Sequence, residues 1–395
     1  VFGAYESVVT SALTQSTQGE QGMKIPGFAM TLLAVVLVFY LLIVGEALLL
    51  PLVIAIAIWY LINTLAAMFG RLRLNKYELP RFLCLILSFL TFALTLWGIG
   101  GFLGGRLEEV MQVIPVYQVN LTSRLENLPF LDMAAYQERG LMQMITEWID
   151  LPAYAATIAS SFASILASGG LISIYVLFLF LEQGKFDEKI SALFGAGGQE
   201  GDVRKIIDRV RNDIQKYISI KMFTSSLTGL LSYLFLRAVD VDFAGVWGLV
   251  IFLLNFIPTV GSIIATIFPA MIALAQSEGY SLFLLVLAGI GILQIGIGNI
   301  LEPRLMGSSF NLSPIVILLN LGLWGYIWGI PGMFLCVPFL IILTIILSHF
   351  PQTRYISVIL SSDGKLRVPA DEVIDDFDFK PNMAALLGRD TNPEN

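Results

Sequence analysis

Apolar residues along this chain run on for lengths that a soluble core does not use. Stretches at 28–44, 52–69, 82–102, 154–181, 217–236, 243–275, 280–301 and 312–347 are predominantly apolar. About 17–25 such residues suffice to cross the hydrocarbon of a bilayer as a helix. None of the stretches alternates as barrel strands must. The pattern predicts an all-α, polytopic helical membrane protein of about eight transmembrane spans.

Two of these stretches are too long to be simple spans. Residues 243–275 would make a straight helix of about 50 Å, against a hydrocarbon core of about 30 Å. Asn255-Phe256-Ile257-Pro258-Thr259-Val260-Gly261-Ser262 interrupts the middle. Proline removes a backbone donor and glycine admits dihedrals closed to other residues. Residues 312–347 repeat the arrangement, interrupted by Gly325-Tyr326-Ile327-Trp328-Gly329-Ile330-Pro331-Gly332. Leu253-Leu254-Asn255 precedes the first break and Leu318-Leu319-Asn320 the second, with Pro269 and Pro338 further on. Backbone groups freed at membrane depth persist only where protein or a water-lined cavity satisfies them. The pair is therefore read as re-entrant or broken segments, a pattern that points to a transporter's binding site. The competing reading is two ordinary spans kinked by Pro and Gly.

Amphipathic patterns lie between the spans. Leu107, Val110 and Ile114, then Leu141, Met144, Ile145 and Trp148, recur at helical spacing among charges, which predicts helices on a surface or against neighbouring subunits. Val203, Ile206, Ile207, Val210 and Ile214 form one stripe on a charged segment, read as an interfacial helix leading into the next span.

Composition agrees and excludes other classes. Hydrophobic residues make up 56% and charged residues 13%, where soluble domains carry about 25% charge. Cys84 and Cys336 fall inside apolar stretches, so they read as small buried hydrophobes rather than a disulfide or metal site. His349 is the only histidine and is placed at the interface after the last span. No Gly-x-x-x-x-Gly-Lys phosphate loop is present, and no catalytic residues, metal ligands or cofactor are assigned. Nothing resembles a nucleic-acid surface.

Lys and Arg in short loops set orientation. Arg71, Arg73, Lys76 and Arg81 follow the second span with only Glu78 opposing. Residues 182–216 hold seven Lys and Arg, whereas 103–152 hold three Arg and seven acids. Both basic loops are expected in the cytoplasm, with both termini. The divisions expected are a flexible tail over 1–22, spans over 23–102, an outer amphipathic segment over 103–152, a transport core over 153–350 including a cytoplasmic amphipathic helix at 185–216, and an acidic tail over 351–395. That tail carries eight acids and four bases from residue 361 on.

Several motifs occur in order: Asp242-Phe243-Ala244, Leu253-Leu254-Asn255-Phe256-Ile257-Pro258, Gly261-Ser262-Ile263-Ile264-Ala265, Gly298-Asn299-Ile300-Leu301-Glu302-Pro303-Arg304-Leu305-Met306-Gly307, Leu312-Ser313-Pro314, Trp324-Gly325, Gly329-Ile330-Pro331-Gly332-Met333 and Val337-Pro338. The series closely resembles the autoinducer-2 exporter (AI-2E) family, most of all its TqsA-like branch. Tyr217-Ile218, Lys221 and Thr228-Gly229-Leu230-Leu231 look like that family's fifth-span entry. The resemblance covers roughly 28–350. It implies a bacterial cytoplasmic-membrane transporter exporting a small polar molecule such as autoinducer-2. It also implies a homo-oligomer, suggested to be a pentamer, and some relatives that look like sodium(lithium)/proton antiporters.

Candidate contacts for substrate or coupling ion gather at the interruptions. Asn255 and Asn320 offer side-chain amides, Thr259 and Ser262 hydroxyls, and the breaks around Pro258 and Pro331 free carbonyls. Gly261 and Gly332 allow close packing or hinge movement. Glu302 and Arg304 flank Pro303 between two apolar stretches, where an ionisable group costs on the order of 2.5–3.5 kcal/mol. They read either as an interfacial clamp or, for Glu302, as a proton- or cation-coupling carboxylate. Residues 302 and 304 do not face each other on a helix, so a clamp needs the turn that Pro303 could provide. Three functions compete: export of a small polar solute, sodium or proton antiport through Glu302, and a non-transporting membrane assembly role. Polar breaks at membrane depth argue against the last.

Overall fold

A computed structural model describes residues 24–71, 79–126, 168–194, 200–277, 279–307 and 311–365. The expectations for 1–22, for Leu141 to Trp148, for the start of the fourth span and for the tail beyond 365 fall outside those residues. The chain divides into two compact units, residues 1–50 and 51–395.

Among the described residues the structure is helical apart from one isolated β-bridge. In order come α1 (Lys24–Val44), α2 (Glu46–Arg71), α3 (Arg81–Glu126), α4 (Gly169–Glu182), α5 (Phe186–Phe194), α6 (Glu200–Ala238), α7 (Ala244–Leu254), α8 (Val260–Gln276), α9 (Ser281–Gln294), π-helical turns at Ile295–Leu301, α10 (Glu302–Met306), α11 (Pro314–His349) and α12 (Arg354–Leu360). Five helical stretches are long and apolar enough to cross a membrane: Glu46–Gly70, Arg81–Phe102, Gly169–Phe194, Ser281–Met306 and Pro314–His349. Leu32–Val44, α7 and α8 are apolar but shorter. The span predicted over 217–236 is not among the five. It is the second half of α6 and carries Lys221, Thr224, Ser225, Thr228 and Ser232 on its buried side.

Each over-length stretch folds back on itself. In the first, Trp247 of α7 lies 6.4 Å from Phe268 of α8, and a Cβ on Gly261 would sit 1.8 Å from the carbonyl oxygen of Leu254. At the open end the Gln276 side chain donates to the Asp240 carbonyl and accepts from the Asp242 N–H. These pairs match residues across a common turn, so α7 and α8 form an antiparallel hairpin, hairpin 1. At about 16 Å and 25 Å, both arms are shorter than the hydrocarbon core of about 30 Å.

α11 turns at Trp328 and Gly329, whose φ of +60° is open to glycine. Asn320 Nδ2 donates to the Cys336 carbonyl at 2.5 Å, although 16 residues of straight helix would separate them by about 24 Å. The Trp324 and Phe339 rings stack at 4.1 Å. A Cβ on Gly332 would sit 2.1 Å from the Trp324 carbonyl oxygen. This is hairpin 2, with arms 314–327 and 330–349. Length and composition alone count it as one span, but the cross-arm contacts require two antiparallel arms.

Both hairpins lie along α6 and approach each other tip to tip. Hairpin 1 matches α6 from Ser225, bonded to Asn255 at its tip, through Gly229 against Phe252 and Tyr233 against Gly248. Its open end lies at the C-terminus of α6, where the Val241 N–H bonds to the Leu236 carbonyl. Hairpin 2 packs with Tyr217 and, towards the α6 N-terminus, with Val210 and Ile206. The amphipathic stripe of 202–216 thus meets a protein partner there, where an interfacial helix was expected. Near the tips, Phe256 stacks on Phe334 at 5.7 Å.

Residues 103–126 continue α3 without a break, where a separate outer segment was expected. Tyr117 on that extension bonds to Asp242, and Asn120 to the Ala275 carbonyl, so the extension holds the open end of hairpin 1. The expected acidic tail is folded for its first fifteen residues. α12 follows hairpin 2, Leu312 pairs with Ser361, and the Ser362 N–H bonds to the Asn311 carbonyl. His349 is fully buried, with Nδ1 beside the Ile345 carbonyl.

Candidate functional site

The site grows from one face of α6. Tyr217, Lys221, Thr224, Ser225, Thr228 and Ser232 recur at three- and four-residue spacing and are all buried, so they line one side of the helix. Local bonds lower the cost for part of the set. The Thr228 hydroxyl donates to the Thr224 carbonyl at 2.8 Å, the backbone satisfaction open to Thr inside a helix.

Lys221 needs more than that, and Glu302 supplies it. The Lys221 Nζ lies 2.8 Å from Oε1 and 3.0 Å from Oε2 of Glu302. The Thr224 hydroxyl donates to Oε2 at 3.1 Å. Side-chain exposure is 8% for Lys221 and 13% for Glu302, so the pair is largely shielded from solvent. Each charge is tolerable there because the other is present.

The backbone before Glu302 explains how it faces α6. Ile290, Gln294 and Ile297 are the buried positions of that helix, and an uninterrupted α-helix would continue the series to Leu301. The π turns insert one residue, and the Glu302 N–H bonds five residues back to the Ile297 carbonyl. That residue turns Glu302 inward in place of Leu301. Such π insertions occur frequently at functional sites.

Asn255 completes the centre. Its Nδ2 donates to Ser225 Oγ at 3.0 Å and the residue is buried, one helical position along α6 from Thr224. Hairpin 1 therefore brings Asn255 to the same turn of α6 that holds Glu302, and hairpin 2 brings Cys336 within electrostatic reach of Lys221.

The other predicted residues are placed differently. Asn320 is spent on the bond across hairpin 2. Gly261 and Gly332 are the close-approach positions of the two turns, and Pro258 and Pro331 are half-buried beside them. Thr259 sits exposed at the tip of hairpin 1 with φ +58°, a strained setting for a β-branched residue. Ser262 Oγ donates to the Thr259 carbonyl at 2.9 Å, closing the first turn of α8. Arg304 is exposed. Glu302 is paired with Lys221, so the Glu302–Arg304 clamp is not formed.

Outside the membrane stretches, Tyr117 donates to Asp242 Oδ2 at 2.6 Å. Burial, then that hydrogen bond and the charge of Asp242, push the Tyr117 phenol above its ordinary value. No group of His, Cys, Asp and Glu suited to a metal occurs among the described residues.

The model for AI-2E family transporters matches residues 30–352. The chain belongs to the AI-2E transporter family. The AI-2 transport protein TqsA of Escherichia coli K12 is 31% identical over 320 residues, covering 80% of this chain and 90% of its own length. A protein of Haemophilus influenzae carrying a provisional transport-protein name is 29% identical, over 73% of this chain and 84% of its own length. More distantly, the sodium-lithium/proton antiporter of Halobacillus andaensis is 23% identical, over 56% of this chain and 66% of its own length. Membership of the AI-2E family and the apolar helices together make this a multi-pass membrane protein with a transport role.

Reasoning from sequence named Asn255 and Glu302 as candidates but passed over Lys221, Thr224 and Ser225, which the structure places beside them. The signal was present. Lys221 lies five residues into the stretch 217–236, with hydroxyls three, four, seven and eleven positions later. The cost of charge at membrane depth that drew attention to Glu302 applies equally to Lys221.

Proposed function

We propose that this AI-2E family member is a secondary transporter that exports a small polar metabolite or signal. Its contact site is the polar centre where the two hairpins meet α6. Autoinducer-2 is the first candidate, from the name of the Escherichia coli relative. The observation that carries the reading is the placement of Asn255, Ser225, Lys221, Thr224 and Glu302 on adjoining turns of α6 beside two hairpin tips. Half-helix ends and irregular backbone at membrane depth suit a polar ligand. Basic loops support the cytoplasmic membrane with both termini inside, and the family resemblance supports a homo-oligomer.

The test is efflux of autoinducer-2 from proteoliposomes, comparing the wild type with Asn255→Ala. Loss of efflux with an unchanged melting temperature is expected. Efflux unaffected by the substitution would remove the site from this region.

A second reading, exchange of a small monovalent cation for protons at Glu302, is favoured by one observation. The buried carboxylate already holds a monovalent cation, the Lys221 ammonium, at 2.8 Å. The Halobacillus relative's name points the same way.

A further inference from the structure

We infer that Lys221 is the proton carrier of this site: a small monovalent cation takes its place on the Glu302 carboxylate, and the ammonium gives up one proton. The inference rests on the cation-exchange reading of the same centre and assigns it a carrier and a stoichiometry.

The argument begins with what surrounds the pair. Glu302 presents both carboxylate oxygens to Lys221, and Thr224 donates to one of them. With the ammonium withdrawn, the two carboxylate oxygens and the Thr224 hydroxyl oxygen are left together, the oxygen donors that hard cations take. Lys221 would then be a buried ammonium without a counter-charge. Such a group is expensive, and release of a proton to give the neutral amine removes the unpaired charge.

Among the described residues, no neighbouring group substitutes for either partner. From α6, Tyr217 lies within electrostatic reach of Glu302, and from hairpin 2, Cys336 lies within reach of Lys221. Both side chains are ordinarily neutral near neutral pH. Hairpin 1 contributes Asn255, which cannot ionise, and Arg304 beyond Pro303 is exposed. The single positive charge that Glu302 accepts is either the ammonium or the incoming ion.

The step balances. The N–H bond of the Lys221 ammonium breaks, its proton passes to water on the side to which the site is open, and one cation binds Glu302. Glu302 keeps its negative charge throughout. One positive charge enters as one leaves, so the exchange is one for one and electrically silent.

Lysine suits the role and arginine does not. An ammonium can deprotonate when it loses its partner, whereas a guanidinium stays charged in proteins. Lys221→Arg therefore keeps an ion pair while removing the carrier.

The experiment uses the full chain in liposomes holding a pH dye, with a sodium or lithium pulse and a potential set by valinomycin and potassium. In the wild type, a pulse should move protons at a rate that the imposed potential does not change. Lys221→Arg, with a melting temperature near that of the wild type, should fall to the rate of protein-free vesicles. Lys221→Gln should take up radioactive sodium without moving protons, and that uptake should respond to potential. Proton movement retained in Lys221→Arg or Lys221→Gln would overturn the inference and leave cation exchange standing. A wild-type rate that follows the potential would overturn it as well. No sodium- or lithium-linked proton movement in the wild type would remove the cation-exchange reading and this inference together, leaving solute export untouched.

Discussion

Lys221 and Glu302 are each tolerable only because the other is there. Removing one partner of a buried ion pair leaves an unpaired charge and costs about 3–5 kcal/mol, whereas replacing both by apolar residues of similar size is often close to neutral. Lys221→Met and Glu302→Met should each lower stability by about that amount, and the double substitution should regain most of it. Unfolding in mixed micelles reads all three. Equal and additive losses would mean that the two charges do not depend on each other in the folded protein. The sequence displayed half of this pair. Glu302 stood out because Pro303 and Arg304 marked a polar break, and Arg304 then looked like its natural partner. Lys221 was hidden inside a stretch read as a plain membrane span, 81 residues away in the chain. Such a pairing depends on how α6 and α9 align, and that alignment includes a π insertion with no sequence mark of its own.

At the scale of elements, the two interrupted stretches were legible as over-length and broken, and the structure resolves both as hairpins. What the residues did not give was the direction of the chain after each break. A kink and a reversal use the same Pro and Gly, and the difference lies in contacts such as Asn320 with Cys336 and Trp247 with Phe268. For α11 the alternatives differ greatly in distance. Spin labels at Ile315 and Ile346, both exposed, would be about 46 Å apart on one straight helix. On hairpin 2 they should lie within about 20 Å, one helix spacing across and a few residues along. Pulsed dipolar spectroscopy separates the two cases, and a distance above 40 Å, on the order of the straight-helix value, would exclude the hairpin. The charged half of α6 taught a related lesson. Its apolar stripe was visible, but a stripe does not say whether lipid or protein covers it, and here Ile206 and Val210 face hairpin 2.

At the scale of the whole chain, the hairpins change the count of spans without changing its parity. With two re-entrant hairpins in place of two of the eight expected crossings, both termini are still expected on one side. The two open ends should then lie on opposite sides of the membrane. Hairpin 1 begins and ends at the C-terminal end of α6, and hairpin 2 lies toward the other end, after α9 and the π turns have carried the chain back along α6. If the basic residues of 182–216 hold the start of α6 in the cytoplasm, hairpin 2 should open to the cytoplasm and hairpin 1 to the outside. Single cysteines test this in a background lacking Cys84 and Cys336, which are both buried. Ser281→Cys lies just past hairpin 1 and Gln352→Cys just past hairpin 2, and both positions are exposed. A membrane-impermeant maleimide should label Ser281→Cys in intact cells and Gln352→Cys only after the membrane is opened. Labelling of both from one side would mean that α9 does not cross, or that residues 314–349 cross instead of turning back.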